Sequence, residues 1–220
     1  MKRIALIHTV KSVLNSFEGQ LREALPELEI NISNTLDDFL LTDTLANGIF
    51  SKVNANRLFM LVQTAVQTGA DIVCVTCSTL TPTVALIRPF FNVPIVAIDD
   101  AMCKNAAKMG PHIHVMASSP TTIEATCNKI EQEASAASND IVITREVCQD
   151  AFVALNHGNM QAHDDIFRTR ACFIKNVDVV VLAQASMAHL RCEIEGICGT
   201  STLSSPASCI QEIVSLLAAK

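Results

Sequence analysis

The residue most suited to chemistry is Cys77, in the stretch GADIVCVTCSTLTP over residues 69–82. It lies directly after the apolar run DIVCV and just before a helix expected to begin near Leu80. A thiol at a helix start meets free backbone N–H groups and the positive end of the helix dipole, and both favour the thiolate. Ser78 and Thr79 add hydroxyl donors beside it, and a carboxylate ligand suits the same place for the same reason. The chemistry would be that of a base or nucleophile next to an anion cradle. The same spacing also reads as a plain capping turn, with Ser78 or Thr79 as N-cap and Cys77 as spacer.

Further polar residues fall where other strands are expected to end. These are His8-Thr9, Asp99-Asp100, Ser118-Ser119 followed by Thr121-Thr122, and Gln184-Ala185-Ser186-Met187. In an open α/β sheet, ligands bind beyond the carboxyl ends of the strands. Competing constellations are weak. Cys74 and Cys77 make a CxxC, but Cys74 belongs inside the strand IVCV and reads as a core thiol. No metal site is expected, because the six histidines show no HxxxH or HExxH spacing and no second CxxC exists. No GxSxG elbow supports a Ser-His-Asp hydrolase. Asp37-Asp38 reads as an acidic helix start or as a lid or dimer contact over the site, Asp99-Asp100 as a cap for a helix over 101–108, and His163-Asp164-Asp165 as a solvated or interfacial patch.

Short β-branched runs must position these turns. Strands are expected over 3–8, 29–34, 71–76, 94–98, 112–117, 140–145 and 178–182, with continuous apolar segments that suit a parallel sheet buried on both faces. Helical spacing of apolar residues marks 12–25, 49–68, 120–136, 150–176 (bent near Gly158) and about 206–219. Strand and helix alternate throughout, so the fold class is α/β with doubly wound parallel sheets. The layout of 71–98 repeats in 178–206, which predicts two pseudo-symmetric lobes: 1–97 plus 206–220, and 98–205.

Composition removes several function classes. The chain has 220 residues, 50 % of them hydrophobic and 17 % charged, so it supports a large core and is not disordered. A formal charge of −6, with no Trp and no Tyr, argues against nucleic-acid partners. No GxGxxG or GxxxxGK[ST] is present to cradle a dinucleotide or triphosphate. No run of eighteen apolar residues occurs, so no membrane span is expected, and IALIHTV reads as a first buried strand in a cytoplasmic protein. The nine cysteines then read mostly as buried free thiols.

The segments IALIHTV (4–10), GADIVCVTCSTLTP (69–82), VPIVAID (93–99), ASSPTT (117–122), DVVVLAQASMAHL (178–190) and TLSSP (202–206) together resemble the aspartate/glutamate racemase superfamily, close to its hydantoin-racemase-like branch. The resemblance implies two lobes with the site in the cleft between them. It implies cofactor-independent proton transfer by two facing cysteines at the substrate's α-carbon, and a homodimer or higher homo-oligomer. Cys77 matches the first cysteine, Ser78 and Thr79 its carboxylate binders, and Thr9 the polar residue after the first strand. Ser118, Ser119 and Thr121 match the turn that closes over the carboxylate. The family's second motif would place a cysteine at position 184, where this chain has Gln184 followed by Ser186. An amide does not titrate in the working range, so racemisation by paired thiols does not follow. The reading is an isomerase or racemase-like enzyme on a small carboxylic acid, an amino acid or hydantoin-like, with Cys77 as acid/base or nucleophile. Gln184 and Ser186 would bind its oxygens, and His8 or Cys103 is a candidate second acid/base. The alternatives are a one-cysteine lyase or decarboxylase, or a non-catalytic small-acid-binding protein. No metal, nucleotide or flavin is implied.

Overall fold

The β-branched runs form two four-stranded parallel sheets in the computed structural model, which describes residues 1–218. Two compact units result, Met1–Asp100 with Pro206–Lys220, and Ala101–Ser205. Residue 219 of the expected C-terminal helix and residues 219–220 of the expected first lobe lie outside the described residues.

In the first unit the strands are β1 (Lys2–His8), β2 (Ile30–Leu36), β3 (Ile72–Val75) and β4 (Ile95–Ala97), in the order β2-β1-β3-β4. The helices are α1 (Lys11–Ala24), α2 (Phe39–Asn47), α3 (Lys52–Gln67), α4 (Thr81–Ile87) and α10 (Ser205–Ala218), and α5 (Asp100–Met109) leads into the second unit. The inner strand β3 is buried throughout, whereas the edge strand β2 is largely exposed. This is why β3 is a continuous apolar run and β2 alternates with polar residues. On α1, Val13, Phe17 and Leu21 recur at intervals of four and form the buried stripe. Burying a side chain such as Phe17 or Leu21 contributes about 1.5–3 kcal/mol.

The second unit repeats the plan. Its strands are β5 (His112–Ala117), β6 (Val142–Val147), β7 (Val179–Leu182) and β8 (Thr202–Ser204), in the order β6-β5-β7-β8. Its helices are α6 (Pro120–Ala136), α7 (Gln149–Asn156), α8 (Met160–Ala171) and α9 (Arg191–Cys198). The repetition reaches single hydrogen bonds. Asp71, just before β3, accepts from Arg3 N at 2.8 Å; Asp178, just before β7, accepts from His112 N at 2.8 Å. Close packing at that second corner explains Gly110: at φ +154, an added Cβ would lie 2.4 Å from Asp178 Cβ.

Several details depart from the sequence expectations. The helix expected from 49 starts at Lys52, because the Ser51 hydroxyl accepts Asn54 N at 3.1 Å and caps it. The 150–176 pattern, by contrast, divides as expected into two helices, α7 and α8, around Gly158, whose φ of +73 suits a residue without Cβ. The strand β8 was not expected; it is three residues long and serine-rich. Asp37 is no lid residue, since it is buried and pairs with Arg57 of α3 at 2.5 Å. Asp99 is buried and accepts from the Thr81 hydroxyl at 2.5 Å, a tie to the start of α4 that the sequence pattern does not predict. Among the described residues no helix is long and apolar enough to cross a membrane.

Candidate active site

Strand order reverses between β1 and β3, and again between β5 and β7. At such a switch point the connections leave in opposite directions and open a crevice at the carboxyl ends. In the first unit, β1 and β3 pair through Ile7 and Val75, so Thr9 and Cys77 each lie two residues past that pair. In the second, Met116 pairs with Leu182, so Ser118 and Gln184 hold the corresponding places. Cys77 and Gln184 share an extended backbone (φ −137, ψ 114 and φ −124, ψ 138), and each opens a short 3-10 turn. Gln184 therefore stands in the second sheet where Cys77 stands in the first.

Cys77 is half-buried at the end of β3, and Thr9, Ser78 and Thr79 around it are buried. Burial pushes the Cys77 thiol up from its ordinary value. The Thr9 hydroxyl and the N–H and hydroxyl of Thr79 act in the opposite direction, and the Asp99 carboxylate adds to the rise. The shift runs opposite to the lowering expected of a thiol at a helix start. The helix behind it, α4, has only seven residues, and the weak field at its end does not offset the loss of solvation. Among the described residues, the buried Thr9 hydroxyl has no oxygen or nitrogen partner, and the Cys77 sulfur is its neighbour. The CxxC is no redox pair, because Cys74 is buried with its sulfur 3.5 Å from that of Cys209.

His8 and Cys103, the candidates for a second acid/base, are both buried. His8 has no exposed surface, and both ring nitrogens are engaged, Nε2 with Asn34 Oδ1 at 3.0 Å and Nδ1 with the Thr76 hydroxyl at 2.7 Å. The Asn34 amide nitrogen donates in turn to Glu18. This orientation makes Asn34 Oδ1 the acceptor of His8 Nε2–H and leaves Nδ1 to accept from Thr76. Burial holds the His8 pKa below its ordinary value, against the opposing influence of Asn34 and Glu18. Cys103 is buried in the core of the second unit.

The second-unit turns are rearranged around Gln184. Its Oε1 accepts both Ser118 N at 2.6 Å and the Ser118 hydroxyl at 2.9 Å. Ser118, expected to bind a substrate carboxylate, has thus committed both donors to the protein's own amide. Gln184 Nε2, half-exposed, has no partner among the described residues and remains a donor. The Ser119 and Thr121 hydroxyls lie 3.0 Å apart, and Ser186 is half-buried in the turn Ala185–Leu190.

Of His163-Asp164-Asp165, expected as a solvated or interfacial patch, His163 and Asp164 are buried while Asp165 is exposed. His163 Nδ1 lies 2.7 Å from Asp164 Oδ1, and His189 Nε2 lies 2.9 Å from Asp164 Oδ2. Burial alone would raise the Asp164 pKa; the bonds from the two histidines outweigh it and hold the carboxyl below its ordinary range. Its sequence signal is faint, since His163 and His189 lie 26 positions apart and meet only through the return of α8 to the sheet.

The model of the Asp/Glu/Hydantoin racemase family matches residues 7–213. The chain belongs to that family. Known structures agree with the family fold. An allantoin racemase from Klebsiella pneumoniae aligns with a TM-score of 0.70 at 14 % identity, over 99 % of this chain and 88 % of that one. A glutamate racemase from Francisella tularensis, in complex with D-glutamate, gives 0.74 at 13 % identity, over 98 % and 80 %. The aspartate racemase of Picrophilus torridus gives 0.69 at 12 % identity, over 98 % and 94 %. A search by sequence among curated proteins returns no match. At these identities, the likeness to the solved structures is one of fold.

Proposed function

We propose that this family member is a cofactor-independent racemase or isomerase acting at the α-carbon of a small carboxylic acid, an amino acid or a hydantoin-like compound, with Cys77 as a proton-transfer group. The observation that carries the reading is Cys77 itself: a half-buried thiol at the switch point of the first sheet, beside hydroxyl and N–H donors from Thr9 and Thr79. In this role the Thr9, Ser78 and Thr79 donors bind the substrate carboxylate; on the second unit, Gln184 Nε2, Ser119, Thr121 and Ser186 are the polar groups of the corresponding turns. Removing an α-proton leaves negative charge on the carboxylate side of the substrate. Fixed donors in a site poor in water stabilise that charge more strongly than water does. The raised pKa of Cys77 suits a group that must both accept and return a proton at carbon, because the thiol is the acid and the thiolate a correspondingly stronger base.

Single enantiomers of aspartate, glutamate, short hydroxy acids, hydantoins and allantoin, followed by polarimetry, test the proposal. The wild-type protein is expected to discharge the rotation of at least one of them. Cys77→Ser is expected to lower that rate by about 10²–10⁴-fold, while the thermal shift produced by the ligand is retained. A fully active Cys77→Ser variant contradicts the assignment. Self-association as a homodimer or higher homo-oligomer is part of the same reading, supported by the exposed apolar side chains Val53, Met60, Leu86 and Phe90 on the first unit.

A further inference from the structure

Inner strands of a parallel sheet are covered on both faces and are ordinarily apolar. His114 breaks that pattern on β5, an inner strand of the second sheet. It pairs with Thr144 on β6 and Val180 on β7. The equivalent residue of the first unit, Ala5, pairs with Ser33 on β2 and Val73 on β3 and is buried. His114 instead lines a cleft of about 510 Å3 between β6 and the C-terminal end of α8. Small-molecule sites span roughly 300–1,000 Å3. A smaller cleft of about 350 Å3 occupies the same place in the first unit, between β2 and α3, where Arg3 is the charged residue of the lining. A partly uncovered edge strand is thus common to both units, and the richly charged lining belongs to the second.

The polar groups of the larger cleft fall into two sets. In the first, His114 Nε2 lies 3.1 Å from Glu146 Oε2, and Nδ1 lies 3.0 Å from the Thr144 hydroxyl. The bond from His114 holds the Glu146 carboxyl below its ordinary value against burial, and Arg170 Nε, 3.6 Å from Oε1, acts in the same direction. Arg145 on the wall is likewise paired, with Glu131 at 2.8 Å. The second set is unmatched. The Lys175 ammonium, the Asn176 amide and the His112 imidazole line the cleft and have no partner among the described residues. Lys175 therefore leaves positive charge unbalanced in a chain of formal charge −6. Apolar surface lies in the same lining, with Phe173 76 % and Val142 59 % exposed. An open ring and a lysine without a counter-ion in one cleft complement a molecule that is apolar at one end and anionic at the other.

We propose that this cleft is a second binding site of the protein, for a small monocarboxylate with an aromatic or branched apolar body. Lys175 and Arg170 attract the carboxylate, Asn176 and His112 donate to its oxygens, and the apolar body covers Phe173 and Val142. Glu146 disfavours a second carboxylate on the ligand. His112 and Val142 are the first residues of β5 and β6, so the cleft lies at the end of the second sheet opposite Gln184. It shares no residue with the proposed proton-transfer site, and the inference is independent of the reading of Cys77.

Proton NMR titration with benzoate tests the proposal through the imidazole C–H signals of His112 and His114, assigned with His112→Gln and His114→Gln. Benzoate is expected to shift both signals along a saturating curve, and Cys77→Ala to give the same curve. Lys175→Gln and Phe173→Ser, both at exposed positions, are each expected to raise the Kd about tenfold with unchanged circular dichroism. Acetate, which lacks the apolar body, and benzyl alcohol, which lacks the charge, are expected to bind about tenfold more weakly or worse. Signals that stay in place overturn the proposal, as does an unchanged Kd in either variant or a curve lost in Cys77→Ala. Equal shifts from acetate and inorganic phosphate would mark general anion attraction and overturn it, and equal binding of benzyl alcohol would overturn the assignment of an anion.

Discussion

Two donors of Ser118 converge on one oxygen of Gln184, and that contact does more than replace a thiol with an amide. It occupies the donors that a carboxylate would otherwise use and fixes the Gln184 NH2 outward. The backbone N–H of Ser118 is buried, so removing its acceptor leaves a polar group without a protein partner. Gln184→Ala is therefore expected to lower stability by about 1–3 kcal/mol, whereas Gln184→Glu, which keeps the acceptor, should lose much less. Urea unfolding distinguishes the two, and equal losses would contradict the role assigned to Oε1. At this scale the sequence was informative about position and less so about state. The type and spacing of Cys77, Ser78 and Thr79 mark the turn. The state of Cys77, the capture of Ser118 and the burial of His8 depend in part on distant neighbours, Thr9, Gln184 and Asn34 respectively, which local pattern does not reveal.

Between elements, the chain of bonds from Glu18 on α1 through Asn34 on β2 and His8 on β1 to Thr76 after β3 ties four segments to one edge of the first sheet. Its pH dependence has a definite sign. The folded state holds the His8 pKa below 6.5, so the unfolded chain binds the proton first as pH falls. The contribution of neutral His8 is therefore complete above about pH 6.5 and is lost as pH falls through the lower, folded value. The carboxyls held low in the fold, Glu18, Glu146, Asp164 and Asp165, titrate in a lower range, with ordinary values of 4.5 and 3.8. Wild-type protein is expected to lose unfolding free energy between pH 7 and 5, and His8→Gln to lose less. Parallel profiles would contradict the assignment. The elements themselves were largely legible, because continuous Val and Ile runs leave little choice but inner parallel strands. The strand at 202–204 and the helix at 39–47 were not, since the first has too few apolar residues for a periodicity and the second follows the turn at Asp37 without a clear apolar stripe.

For the molecule as a whole, the repeated strand order and the matched aspartates before β3 and β7 describe one α/β plan used twice. The two copies carry different chemistry at the same place, a thiol in one and an amide in the other. The proposed self-association would draw on a different surface. Val53 and Met60 lie seven residues apart on α3, so they share a helix face, and both are exposed. Sedimentation is expected to show a dimer or larger species, and Met60→Lys to shift it toward the monomer; a wild-type monomer at assay concentration would contradict the expectation. The most direct test of the central claim is the loss of the substrate α-proton signal in D2O, followed by proton NMR with wild-type protein and with Cys77→Ala. The account predicts that the signal decays with the wild type and persists with the variant. Decay at the same rate in Cys77→Ala would contradict it.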